Sequence, residues 1–92
     1  MPINSFENYP MSWKPVITDR KGAIYTQLAE QLAGDIRNGL LKPGDKLPPQ
    51  RELADYLDVH LSTVTRAYKL CEEQGLICAK VGQGTFISSD VN

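Results

Sequence analysis

Histidine and cysteine are scarce in this chain, which has one His and two Cys among 92 residues. Cys71 and Cys78 lack CxxC spacing and His60 stands alone, so the sequence offers no zinc set. The two thiols are expected to be reduced and half-buried among apolar neighbours, as in a cytoplasmic protein. No apolar run approaches the roughly 18 residues that a membrane-spanning helix needs. The opening MPINSFENYP has neither a basic region nor an apolar stretch, so no export signal and no membrane partner are expected. Positive charge is in short supply too. Ten Lys and Arg stand against eleven Asp and Glu, for a formal net charge of -1 and a pI of about 5.7. Any attraction to nucleic acid must therefore come from where the cations sit. Catalytic sets are also missing: His60 has only Asp58 beside it, and no enzyme is expected.

What remains is an ordinary soluble composition, 41% apolar and 23% charged, in a length that suits one domain. Residues 1–22 hold three of the six prolines and no helical period, and read as an N-terminal arm or lead-in. Trp13, Val16 and Ile17 could dock that arm on the domain. Ile24, Leu28, Leu32 and Ile36 then recur every fourth residue, with Ala29 and Ala33 widening the stripe, which predicts a helix. Its polar face carries Thr26, Gln27, Glu30 and Arg37, and Asn38-Gly39 is a fitting stop. LLKPGDKLP reads as a turn and a short extended piece anchored by Leu40, Leu41 and Leu47. Pro48-Pro49 sets up a short second helix from Gln50 to about Tyr56, burying Leu53, Ala54 and Leu57. A third helix is predicted from Leu61 or Ser62 to Gln74, with Val64, Ala67, Tyr68 and Cys71 inward. Leu76–Val81 and Thr85–Ser88 are β-rich, and Gly82-Gln83-Gly84 between them signals a hairpin.

A short helix followed after about four residues by another is a helix-turn-helix, and a hairpin straight after it is a wing. The expected fold is α+β, mainly α: a winged helix-turn-helix of three helices plus a two-stranded wing hairpin over 23–88. A plain three-helix bundle with a capping hairpin is the bland alternative.

In such a fold the second helix of the pair enters the major groove N-terminus first. Ser62, Thr63 and Thr65 are short there, letting the backbone approach and bond to phosphates or bases, while Arg66 and Lys69 follow one and two turns on. The alternative is that Ser62 caps the helix and the two cations merely solvate it. Arg51 sits in the first turn of the second helix, where the helix dipole disfavours a cation. It is expected to have a partner, either Glu52 or Asp55 or a phosphate. Gly82 and Gly84 let the hairpin tip approach a sugar-phosphate strand, with Lys80 and Gln83 as contacts. The rival use of this face is contact with a protein partner.

These blocks, IYTQLAEQL, IRNGLLKPGDKLPPQRELADYL, STVTRAY, EQGLI and GQGTFI, resemble the DNA-binding domain of GntR-family bacterial transcription regulators over about residues 23–88. The resemblance implies a winged helix that binds a near-palindromic double-stranded operator as a homodimer, with DNA contacts at Arg51, Thr63 and Gly82. Where the family usually has Ser-Arg before this motif, the chain has His60-Leu61; His60 is a candidate helix cap or phosphate contact. Within the family the chain resembles most the MocR subgroup, whose further aminotransferase-like domain binds pyridoxal phosphate; the smaller subgroup with a short helical tail is the alternative. On that reading residues 89–92 begin a linker to a C-terminal domain, and no cofactor is bound by this chain itself.

Overall fold

The computed structural model describes residues 13–89. Three helices, α1 (Ile24–Arg37), α2 (Gln50–Leu57) and α3 (Leu61–Glu73), precede an antiparallel pair of strands, β1 (Ile77–Lys80) and β2 (Gly84–Ile87). This is the expected winged helix-turn-helix. α3 packs on α1, α2 and β1, so the chain folds around it.

The apolar periods predicted from sequence become the buried faces. Leu28, Ala29 and Leu32 come from α1, Leu53, Ala54 and Leu57 from α2, and Val64, Ala67, Tyr68 and Cys71 from α3. Leu41, Leu47, Ile77 and Ile87 close the core from the sheet side. Of the expected anchors, Leu40 is the exception, 68% exposed beside a buried Leu41. Both of their amides bond to the Asp35 carbonyl after Gly39 has turned the chain in a left-handed conformation, and only Leu41 of the pair reaches the core. Cys71 is buried and Cys78 half-buried. Burial pushes the Cys71 thiol up to about 11. Burial, with Cys71 beside it, also holds the Tyr68 hydroxyl well above the ordinary tyrosine range. That hydroxyl donates to the Pro48 carbonyl at 2.7 Å, tying α3 to the lead-in of α2.

The turn between α2 and α3 is set by Asp58. It takes a left-handed conformation (φ 59°), and the Val59 amide bonds back to the Ala54 carbonyl. A short polar side chain tolerates this geometry better than most. The wing also has a third rail. The Leu47 amide bonds to the Thr85 carbonyl and the Ile87 amide to the Asp45 carbonyl, so residues 45–47 run beside β2, with Lys46 opposite Phe86.

Residues 1–12 of the expected arm lie outside the described residues; residues 13–22 do dock, through a device the apolar pattern does not display. Gln27, Gln31 and Asp35 form a polar stripe along α1, four residues apart. Gln31 receives the Val16 amide at 3.0 Å and donates to its carbonyl. Gln27 does the same for Asp19, receiving its amide at 3.2 Å. Asp35 receives the Trp13 indole N–H at 2.7 Å. Trp13 is itself buried in the core, 4% exposed. At the other end of the arm, the Arg20 guanidinium donates to the Leu57 carbonyl at 2.6 Å and the Asp58 carbonyl at 3.4 Å. It thereby satisfies orphan carbonyls at the end of α2.

Candidate nucleic-acid interface

The side chains singled out for DNA occupy three neighbouring elements. Arg51 lies in the first turn of α2, His60 to Lys69 span the start and middle of α3, and Lys80 to Gly84 make the wing tip. Thr65 Oγ1 donates to Gln50 Oε1 at 2.6 Å. That bond joins the beginning of α2 to the beginning of α3, which sets Arg51 alongside the leading end of α3.

Along α3 the buried residues Val64, Ala67, Tyr68 and Cys71 occupy one side, and Ser62, Thr65, Arg66 and Lys69 are exposed on the other. Thr63 is half-buried between them. Local charge departs from the acidic whole. Between Val59 and Ser89 the only acids are Glu72 and Glu73, near the far end of α3, while Arg66, Lys69 and Lys80 lie in the same span. The leading two turns of α3 and the wing are therefore acid-free.

Several expectations about individual residues change. The capping role considered for Ser62 does not arise, because α3 begins at Leu61 with His60 in the cap position. His60 makes no side-chain cap bond either; the Thr63 amide bonds back to the His60 carbonyl at 3.0 Å, which leaves the Leu61 and Ser62 amides as donors on an exposed end, the arrangement that favours a phosphate oxygen. Neither Glu52 nor Asp55 pairs with Arg51. Among the described residues its guanidinium has no hydrogen-bond or ion-pair partner, and the side chain is exposed. Thr65, by contrast, is already engaged with Gln50. Arg66 is held too: its guanidinium lies over the Tyr25 ring, 4.2 Å from the centroid. A planar cation on an aromatic face keeps its edge donors free, so the stack orients Arg66 without consuming it.

The wing turns through Val81, Gly82 and Gln83, closed by the Gln83 amide bonding to the Lys80 carbonyl at 2.9 Å. Gly82 has φ 77° and Gly84 φ 128°. A Cβ on Gly84 would come within 2.9 Å of Lys46 Cε, the movable end of a long side chain, so position 84 is restricted by its backbone conformation. Lys80 Nζ lies 5.1 Å from the Phe86 ring centroid. Lys46, which sequence reasoning missed, thus joins Lys80 beside Phe86. No local signal could have found it, since it reaches the wing only through its bridge to Phe86, forty residues along the chain.

What this arrangement can do chemically is bind a polyanion along one face, with a helix end, uncommitted cations and a close-approaching hairpin. Comparison with known proteins agrees. Residues 24–87 match the sequence profile of the bacterial regulatory proteins, gntR family. The chain is 64% identical over 90 residues to an uncharacterized HTH-type transcriptional regulator, YdeF of Bacillus subtilis, covering 98% of the chain but 20% of that protein. It thus spans about a fifth of that relative's length. Among solved structures it resembles YtrA from Sulfolobus acidocaldarius, a GntR-family transcription factor, at 38% identity and TM-score 0.74, covering 85% of this chain and 66% of that one. It also resembles the DNA-binding domain of AraR in complex with operator ORX1, at 31% identity and TM-score 0.65, over 70% of this chain and 77% of that one.

Proposed function

Because this chain belongs to the GntR family of bacterial regulatory proteins, we propose that it is the operator-reading domain of a transcription regulator and that α3 lies in the major groove. The wing then rides on the adjacent backbone or minor groove. GntR-type DNA-binding domains are not enzymes, and nothing catalytic is asked of these residues. The observation that carries the reading is the acid-free leading end of α3, flanked by a wing that carries Lys80 and by Arg51, which is unpartnered among the described residues.

Each residue takes a role from its surroundings. Arg51, Lys69, Lys80 and the free amides at the start of α3 hold phosphates, which fix register. Ser62 and Thr63, with short side chains, meet the base edges or the phosphates beside them. Arg66, steadied by Tyr25, reaches a flanking phosphate or a guanine edge. Thr65 acts through its bond to Gln50 as well as by its position on this face. His60 touches a phosphate at the helix start. Gly82 and Gly84 let Gln83 approach the sugar-phosphate strand.

The wider assembly is part of the same proposal. A near-palindromic operator with half-sites about one helical turn apart calls for a homodimer. We assign 23–88 to the winged helix, 1–22 to an arm and 89–92 to the start of a linker toward a further domain. The fivefold greater length of the YdeF relative supports a large second domain there. In a regulator of the MocR type that domain would carry an aminotransferase-like fold and pyridoxal phosphate. No residue of this chain is assigned to the cofactor. A cytoplasmic location follows from the same reading, and no helix among the described residues is long and apolar enough to cross a membrane.

The test is fluorescence anisotropy with a labelled duplex from the DNA upstream of the chain's own coding region, over a salt series. Affinity should fall on a log-log plot by about 0.9 per phosphate contact, and should exceed that for a scrambled duplex. Arg66→Ala should weaken binding more than Lys42→Ala does, and equal losses would remove α3 from the groove. Absence of binding at low salt, even with a forced dimer, would point instead to a protein partner for this face.

A further inference from the structure

Leu61 is an apolar side chain that the fold only partly covers. It is the first residue of α3 and 39% exposed. It belongs neither to the buried core nor to the partly buried apolar residues packed against that core, a set that does include its neighbour Val59. Among the described residues the other large exposed apolar side chains, Val16, Leu40 and Val81, lie outside the helices, in the arm, a turn and the wing tip. A helix start favours small polar or acidic residues, so helix formation does not call for leucine there either.

Its direction is informative. Side chains on a helix lean toward the N-terminus, so Leu61 projects ahead of the α3 backbone, past the end that enters the groove first. Beside it are the exposed His60 and Ser62. The floor of the major groove carries donors and acceptors at every base pair and only one apolar group, the C5-methyl of thymine. Leucine cannot hydrogen-bond. Set against a guanine or cytosine edge it would strip water from polar atoms and return nothing. Set against a thymine methyl it buries apolar surface on both sides.

We infer that Leu61 is a specificity residue that reads thymine, its side chain packing on the C5-methyl of one T·A pair in each half-site. The inference rests on the DNA-binding reading above and gives it a chemical preference.

Deoxyuridine lacks only that methyl and changes nothing in the minor groove or the phosphates, so it isolates the contact. The full chain would be used to select duplexes from a randomised pool, giving a consensus. Thymines in the selected duplex would then be replaced one at a time by deoxyuridine. Replacement at one position per half-site should weaken binding roughly fourfold, the worth of one methyl group's burial, and the remaining thymines should tolerate it. Leu61→Ala, checked for unchanged helicity by circular dichroism, should lose both the preference for T at that position and the sensitivity to deoxyuridine. Leu61→Met, still apolar and flexible, should keep both.

Binding that is sequence-selective yet indifferent to deoxyuridine at every position would overturn the thymine assignment and leave the DNA reading standing. So would a deoxyuridine effect that persists in Leu61→Ala. If the pool yields no bound duplex at low salt, with a forced dimer as well, the DNA reading falls and this inference with it.

Discussion

The arm and the leading face of α3 use similar polar side chains to opposite ends. Along the arm, Gln27, Gln31, Asp35 and Arg20 are all committed to partners within the chain. Across the proposed interface, the side chains of Arg51, Ser62, Lys69 and Gln83 have none among the described residues. Residue type does not separate the two sets. What separates them is whether the hydrogen-bonding groups are already spent, which distinguishes structural polarity from polarity reserved for a ligand. Arg66 and Thr65 stand between the two, anchored by Tyr25 and Gln50 yet exposed.

Substitutions can widen or collapse that contrast. Trp13→Ala should have the largest effect, costing about 3–5 kcal/mol of stability through lost core packing, read by urea denaturation. DNA affinity, measured where the variant is still folded, should stay within about twofold, since Trp13 lies on the arm side. Arg51→Ala should do the reverse. Losing a charge-assisted bond to phosphate costs about 1.5–3 kcal/mol, a tenfold or greater loss of DNA affinity. The salt slope should shrink by about 0.9 and the unfolding midpoint should hardly move. Gln31→Ala removes both bonds to Val16 and should lower stability by about 1 kcal/mol without altering the salt slope. The smallest and most diagnostic change is Tyr25→Leu. An exposed cation–π stack is worth about 0.5–1 kcal/mol, so stability and DNA affinity should each fall slightly. If affinity were untouched, Arg66 would belong with the arm's structural set.

The helices were legible because their apolar residues recur at the helical period, and α2 and α3 bury the residues that pattern picks out. Asp58 was not legible as the turn's hinge, since nothing local announces a left-handed aspartate. The candidate interface was readable as a set of residue types on named elements. Its internal wiring was not: Thr65 with Gln50, Arg66 with Tyr25 and Lys46 with Phe86 join positions 15, 41 and 40 residues apart. No period connects such pairs. The arm was hardest of all. Trp13 stands isolated among prolines, and the glutamines that hold its segment resemble ordinary solvent-facing residues on the outside of α1.

The way those glutamines grip the arm has a consequence for inheritance. Gln31 takes hold of Val16 by its main-chain N–H and C=O, the same two groups in nearly every amino acid, while the Val16 side chain points away, 62% exposed. A mutation there rewrites the side chain and leaves the handhold intact; proline, which has no N–H, is the exception. The sequence at that position can drift from one lineage to the next while its path stays put, because the instruction for the path is carried by Gln31 on another segment.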